Sequence, residues 1–234
     1  MADEKKVRKG AISFDITLSE EQKEAKRLIL KSTCTILDGQ PGSSKTTISM
    51  NAALDLLFQK EIQKIYLTRP PIELAQFKNF GALPGDKKEK NDVYMQPFID
   101  AINANYSNSP AKKNRITKAF ENQEIVFEPL PFIRGRNLGS ATERCVVILD
   151  EGQSCDEDTM YAILTRISEG SKLIITCDLA QNDARVKSGM IKLIQKKDKI
   201  LETSYIKLLQ NYRSKFVQSI NEHWFTNEEE DNNK

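Results

Sequence analysis

At 234 residues, with 39% hydrophobic and 29% charged side chains, the chain suits one larger globular domain, able to bury roughly 70–75% of its unfolded surface without disulfide or metal staples. No apolar run approaches the ~18–20 residues of a membrane span, and the opening MADEKKVRKG lacks the apolar stretch of a signal peptide, so a cytoplasmic protein with no membrane partner is expected. The net charge is +2, but residues 226–234 carry four acids against one lysine, leaving about +5 for the body, a balance that permits a polyanion partner without requiring one.

Residues 1–10 and 226–234 are polar or acidic and read as disordered tails, which leaves 11–225 for a single domain. Cys34, Cys145, Cys155 and Cys177 fall in or just after predicted strands, with no CxxC or Cys/His spacing, and read as reduced, buried thiols. Between residues 18 and 31 the apolar positions Leu18, Ala25, Leu28 and Ile29 recur at helical spacing, and Ser19 with Gln22 three residues on forms a capping box.

Next comes TCTILDGQPGSSKTT, residues 33–47: an apolar β-type run, a glycine-bearing turn, and a lysine with two threonines opening a helix. Phosphate binding needs small residues where backbone amides crowd around oxygens, a lysine reaching the β and γ phosphates, and a hydroxyl on Mg²⁺ at the following helix N-terminus. Gly39, Gly42, Lys45 and Thr46 fit those roles, in a loop comprising Gly39, Gln40, Pro41, Gly42, Ser43, Ser44, Lys45, Thr46 and Thr47. Ser44 stands where glycine usually precedes the lysine. A left-handed backbone there costs roughly 1–2 kcal/mol, which bears on nucleotide affinity more than on where the site lies. A plain strand-to-helix turn is the other reading of this stretch. Gln22, just upstream, has two readings as well: helix cap, or reader of the adenine edge, as a glutamine at this place does in P-loop motor proteins.

After Lys45 an all-round apolar helix leads to the strand KIYLT, residues 64–68, which Arg69-Pro70-Pro71 brings to a stop. This is a βαβ unit, and its short connections imply a parallel sheet with a right-handed crossover whose strand ends, at Asp38 and Thr68, open onto one edge. Residues 72–118 are the least regular stretch, with one expected helix from Tyr94 to Ala104 and basic clusters at Lys87, Lys88 and Lys90 and at Lys112, Lys113 and Arg115. An excursion of this length is usually functional or mobile. A short strand follows at 125–127, then Arg134-Gly135-Arg136, which suits either phosphate contact or a solvated loop.

CVVILDEGQ, residues 145–153, is a buried strand ending in two acids, the way a P-loop enzyme places its second metal group. Asp150 would hold Mg²⁺ with Thr46, and Glu151 would orient or deprotonate the attacking water. Adjacent strand residues point to opposite faces, so a bend must let both serve. Met160, Ile163, Leu164 and Ile167 trace one helical face, with Asp156 as cap and Gly170 as stop. KLIITC, residues 172–177, is a further strand, followed by Asp178 and by Gln181, either a γ-phosphate sensor or a polar loop residue. A last strand in 200–208 runs into QNYRS and a helix bearing Phe216, Val217, Ile220 and Trp224. Arg213 at that junction would act as an arginine finger, an effect worth 10³ to 10⁵ in rate where it operates, or pair locally. His223, the single histidine, is expected to face solvent or a neighbour.

These motifs, in this order, resemble the PhoH family, relatives of the first RecA-like domain of superfamily 1 helicases. The residues carrying the resemblance are GQPGSSKT; LTRP at Leu67; LPGD at Leu83 with Glu89-Lys90 and Tyr94 through Pro97; RGR at Arg134; VILDEGQ at Val147; LTR at Leu164; and TCDLAQND at Thr176 with Ser188-Gly189. The chain departs from the family pattern at Ser44 and Cys177, usually glycine, and at Gly152, usually alanine. The resemblance implies an α/β, RecA-like P-loop NTPase, a mostly parallel sheet with helices on both faces, that binds and hydrolyses ATP with Mg²⁺. It also implies a homo-oligomeric ring, commonly hexameric, acting on RNA or single-stranded DNA. Arg213 or Arg166 would be donated across the subunit interface, and Arg69, Arg134 and Arg136 would face the strand. Two other functions remain open: a nucleotide-gated nucleic-acid-binding ring in which Ser44 blocks turnover, and a P-loop kinase with its acceptor held by residues 71–118.

Overall fold

A computed structural model describes residues 16–70, 87–106, 110–133, 135, 137–181, 188–212, 215, 216 and 219. The expectations placed on the two tails, on the LPGD turn, and on Arg134, Arg136, Arg213 and His223 lie outside the described residues. Along the chain the elements are α1 (Glu20–Lys31), β1 (Cys34–Gly39), α2 (Lys45–Phe58), β2 (Lys64–Thr68), α3 (Lys87–Tyr106), α4 (Pro110–Glu121), β3 (Ile125–Phe127), α5 (Leu130–Ile133), β4 (Cys145–Leu149), α6 (Glu157–Leu164), β5 (Lys172–Cys177), α7 (Gly189–Lys196) and β6 (Thr203–Leu208).

The six strands form one sheet in the order β3-β2-β4-β5-β1-β6, parallel at every pairing. Residues in β1, β4 and β5 read as continuous apolar runs because both sheet faces are covered, and side-chain alternation sorts them. Leu37, Ile65, Leu67, Val146, Ile148 and Ile174 pack on one side with α1 to α4. Ile36, Tyr66, Val147, Leu149, Leu173 and Ile175 pack on the other with α5 to α7. Among the described residues no helix is long and apolar enough to cross a membrane, and all four cysteines are buried and form no disulfide.

The β1-α2-β2 unit is present, but β4 and β5 are inserted between its two strands. The insertion matters for the site. In register, Asp38 lies opposite Cys177 and Thr68 opposite Leu149, so whatever follows β1, β2, β4 and β5 emerges along one edge. Carboxyl edges where strand order switches are where open α/β sheets bind ligands.

Three local expectations are corrected. Residues 110–121, most of which fall in the stretch 72–118 read as least regular, form α4, whose short apolar stripe buries Ile116 and Ala119 and is masked in sequence by four basic residues. α3 begins at Lys87 rather than Tyr94 and continues through Pro97. The helix expected to run to Gly170 ends at Leu164, where the Thr165 hydroxyl turns back to the carbonyls of Tyr161 and Ala162; Ile167 instead forms a bridge with Leu138. α7 has no counterpart among the expected elements, although Ser188 caps it through the Ile191 amide.

Candidate functional site

The loop between β1 and α2 is shaped by close approach and by positive φ. A Cβ on Gly39 would lie 2.6 Å from Ser43 Oγ and 2.8 Å from the Leu208 carbonyl oxygen, so only glycine fits without a backbone shift. Gly42 has φ 92 and Ser44 φ 64, ψ 21, so the left-handed backbone anticipated at Ser44 is present. Left-handed residues of this kind are found where successive backbone amides turn towards an anion. Ser44 forms no side-chain cap and the first turn of α2 has no acid of its own, so the positive end of the helix is left open to a negative group from elsewhere. Lys45 Nζ lies over the loop, donating to the carbonyl oxygens of Gly39 at 2.5 Å and Gln40 at 3.0 Å. Burial lowers its pKa, while Asp178, Glu151 and Asp150 push it back up.

Across the edge, Asp150 Oδ1 accepts from Thr46 Oγ1 at 3.1 Å and from Thr176 Oγ1 at 2.5 Å. Glu151 adopts φ 58. That left-handed residue is the bend the two adjacent acids require, and it brings both carboxylates within ion-pair distance of one guanidinium: Arg69 Nε is 3.4 Å from Asp150 Oδ2 and Nη2 is 3.5 Å from Glu151 Oε1. Glu151 Oε2 accepts from Gln153 Nε2 at 2.6 Å, and Gln153 Oε1 accepts from the Asp178 amide at 3.1 Å. Gly152 permits the turn, since a Cβ there would meet Ile175 Cγ2 at 2.5 Å.

Buried Asp38, at the end of β1, accepts from the Leu179 amide at 3.2 Å and from Tyr205 Oη at 2.8 Å; burial first, and this bond second, push the Tyr205 phenol up. The stretch after β6 returns to the loop: Asn211 Nδ2 donates to the Pro41 carbonyl and the Tyr212 amide to that of Gly42. α3 closes the remaining side with Pro97, Asp100, Ala101 and Ala104, tied to α2 by a 2.7 Å bond between Asn51 and Asn105. Together these walls enclose an open cleft of about 560 Å³.

The structure therefore gathers Pro41, Gly42, Ser44, Lys45, Thr46, Thr47, Asp150 and Glu151 into one cleft. Gln22 is buried in the capping box, its Oε1 accepting from the Ser19 amide at 3.0 Å. Gln181 ends the short 3-10 turn that follows Asp178. Arg166 is not among the cleft-lining residues, and its Nε is buried without a hydrogen-bond partner. Arg69, expected on a nucleic-acid face, instead has a side chain only 12% exposed and turned into the acids. Sequence reasoning also passed over Thr176, Gln153 as a ligand of Glu151, and the α3 wall. An alternating hydroxyl and acid at strand ends was the available signal for Thr176; nothing local marks the others.

The PhoH family, described as PhoH-like protein, matches residues 16–224. The chain belongs to the PhoH family. This PhoH-family chain is 38% identical over 154 residues to a PhoH-like protein of Bacillus subtilis (strain 168), covering 65% of this chain and 45% of that relative. To a PhoH-like protein of Synechocystis sp. it is 33% identical over 178 residues, covering 76% of this chain and 50% of the relative. The chain thus spans about half the length of these curated relatives. Among solved structures, the large terminase from a thermophilic bacteriophage superposes with a TM-score of 0.53 at 14% identity, covering 90% of this chain and 50% of that one, a likeness of fold that makes this PhoH-family domain RecA-like.

Proposed function

We propose that this chain binds ATP with Mg²⁺ in the cleft, hydrolyses it, and couples turnover to RNA or single-stranded DNA as a homo-oligomeric ring. The observation that carries the reading is the meeting of the Gly39–Thr47 loop, Lys45 and the Asp150–Glu151 pair in one open cleft at the switch point of the sheet. The residues fit the metal. Thr46 Oγ1 and Asp150 Oδ1 already stand 3.1 Å apart, and Mg²⁺ needs only one or two protein oxygens beside water and phosphate. Bound there, Mg²⁺ would neutralise charge on the β and γ phosphate oxygens.

The protein's own part is positional. Amides of the loop and Lys45 would hold the phosphates, and the lysine's present carbonyl partners are groups it can exchange for phosphate oxygens. Glu151, oriented by Gln153, would take the proton of the attacking water. Because Gln153 also grips the Asp178 amide, a shift in the Asp178–Gln181 turn would reach Glu151 directly. The nucleic-acid and ring parts are supported by family membership and by the basic body. Ser44 favours a second reading, a ring that binds ATP without turnover, because its left-handed backbone carries strain at the loop.

The test is steady-state ATP hydrolysis with Mg²⁺, with and without single-stranded RNA or DNA, for the native chain and Lys45→Ala. Expected is turnover stimulated by one nucleic acid and reduced at least about 100-fold in the variant. Lys45-dependent ATP binding with no turnover in the native chain would leave the nucleotide-gated ring.

A further inference from the structure

We propose that Arg69 is the counter-charge of the acid pair, a positioning residue that keeps Asp150 and Glu151 from capturing a divalent cation before nucleotide arrives and holds Glu151 in line for water. The catalytic half of this inference rests on the hydrolytic reading above; the metal half stands on the acid pair alone.

The sequence places the residue. Pro70 restricts Arg69 to extended backbone, and the register that sets Thr68 beside Leu149, extended by the Asp150 amide bonding the Thr68 carbonyl at 2.9 Å, delivers Arg69 next to Asp150. Its guanidinium then spans both acids at 3.4 and 3.5 Å. The far oxygens are engaged by neutral groups only, Thr46 and Thr176 on Asp150 and Gln153 on Glu151. Lys45 lies instead on the loop carbonyls. Arg69 is therefore the cation at ion-pair distance from the two carboxylates among the described residues.

The grip is loose in a telling way. Charge-assisted N–H···O bonds run at about 2.7–2.9 Å, whereas Arg69 Nε is buried without a hydrogen-bond partner although Asp150 Oδ2 is 3.4 Å away. The contact is coulombic attraction rather than a bidentate fork. Such a cation repels an incoming free metal ion but yields when nucleotide phosphates bring a compensating negative charge. Metal and nucleotide would then enter together.

Mn²⁺ titration of the nucleotide-free chain, followed by the electron paramagnetic resonance signal of free Mn²⁺, tests this with Arg69→Met, Arg69→Lys and the double variant Arg69→Met/Asp150→Asn. Expected is at least about tenfold tighter Mn²⁺ binding in Arg69→Met, loss of that gain in the double variant, and native weak binding in Arg69→Lys, which keeps the charge. In ATP hydrolysis, Arg69→Met and Arg69→Lys should both lower kcat about tenfold with KM for ATP unchanged, since an ammonium cannot span both acids. Equal Mn²⁺ affinity in native and Arg69→Met chains overturns the proposal, as does a gain that survives Asp150→Asn. If Arg69→Met does not fold, Arg69→Gln removes the charge with a polar replacement and is judged by the same Mn²⁺ comparison. Absence of ATP turnover in the native chain would remove the hydrolytic reading while the Mn²⁺ result still decides the counter-charge.

Discussion

Ser44 holds a backbone conformation, φ 64 and ψ 21, that glycine adopts freely and serine adopts at about 1–2 kcal/mol. Glycine brings an opposing entropic cost of about 0.5–1 kcal/mol, so Ser44→Gly should stabilise the nucleotide-free chain by only about 0.5–1 kcal/mol. At this chain length that is a rise in Tm of about 1–4 °C, and a thermal melt showing no rise or a fall would mean that the Ser44 side chain contributes more than its strain takes away. Single residues differ in how much of their part the sequence carries. Lys45, Thr46 and Asp150 are legible as candidates because each stands in a contiguous motif, and the structure sets them in one cleft. Arg69 is not legible in that way, since what makes it an acid-pair partner is the neighbouring strand and not its own surroundings in sequence.

At the scale of elements, α1 joins a local signal to a distant one. Ser19 and Gln22 close the capping box as their spacing predicts, yet Ser19 Oγ also lies 2.7 Å from Tyr212 Oη, and Glu21 accepts from the Leu209 amide at 2.8 Å. The start of α1 thus anchors the segment that bonds the β1–α2 loop through Asn211 and Tyr212. Ser19→Ala should cost about 1 kcal/mol as a lost cap. Paired with Tyr212→Phe in a double-mutant cycle by urea denaturation, it should show a coupling of about 0.5 kcal/mol or more; strict additivity would show that the Ser19–Tyr212 contact adds nothing. Helix ends are less legible in the sequence than helix starts. α6 stops early because a threonine hydroxyl competes for the last carbonyls, and α4 is hidden because its exposed face is so basic that its apolar stripe is short.

For the whole molecule, four thiols sit in the doubly covered sheet or beside it. Burial pushes Cys34 up to about 12 and Cys145 up to about 11, against about 8.5 in an unfolded chain. The folded state thus retains protons that the unfolded state releases, so these thiols contribute their full stability below about pH 8.5 and lose it as pH rises toward 11 or 12. Lys45 and Lys172, lowered chiefly by burial, act in the opposite direction, so the check is differential: between pH 8 and 10.5, urea-denaturation stability should fall less steeply for Cys34→Ala than for the native chain. At this scale too the two sources of information part company. The sequence by itself determined the strands, because buried parallel strands are uninterrupted apolar runs, and the positions of the glycine-bearing loop and the acid pair, because each is a contiguous motif. Only the tertiary structure decided that β4 and β5 lie between β1 and β2, that Glu151 bends back beside Asp150, that Arg69 turns onto both acids, and that the segment after β6 returns to the loop. Those facts depend on strand order and register, which arise when the two sheet faces are buried together and leave no periodic trace in any one stretch of chain.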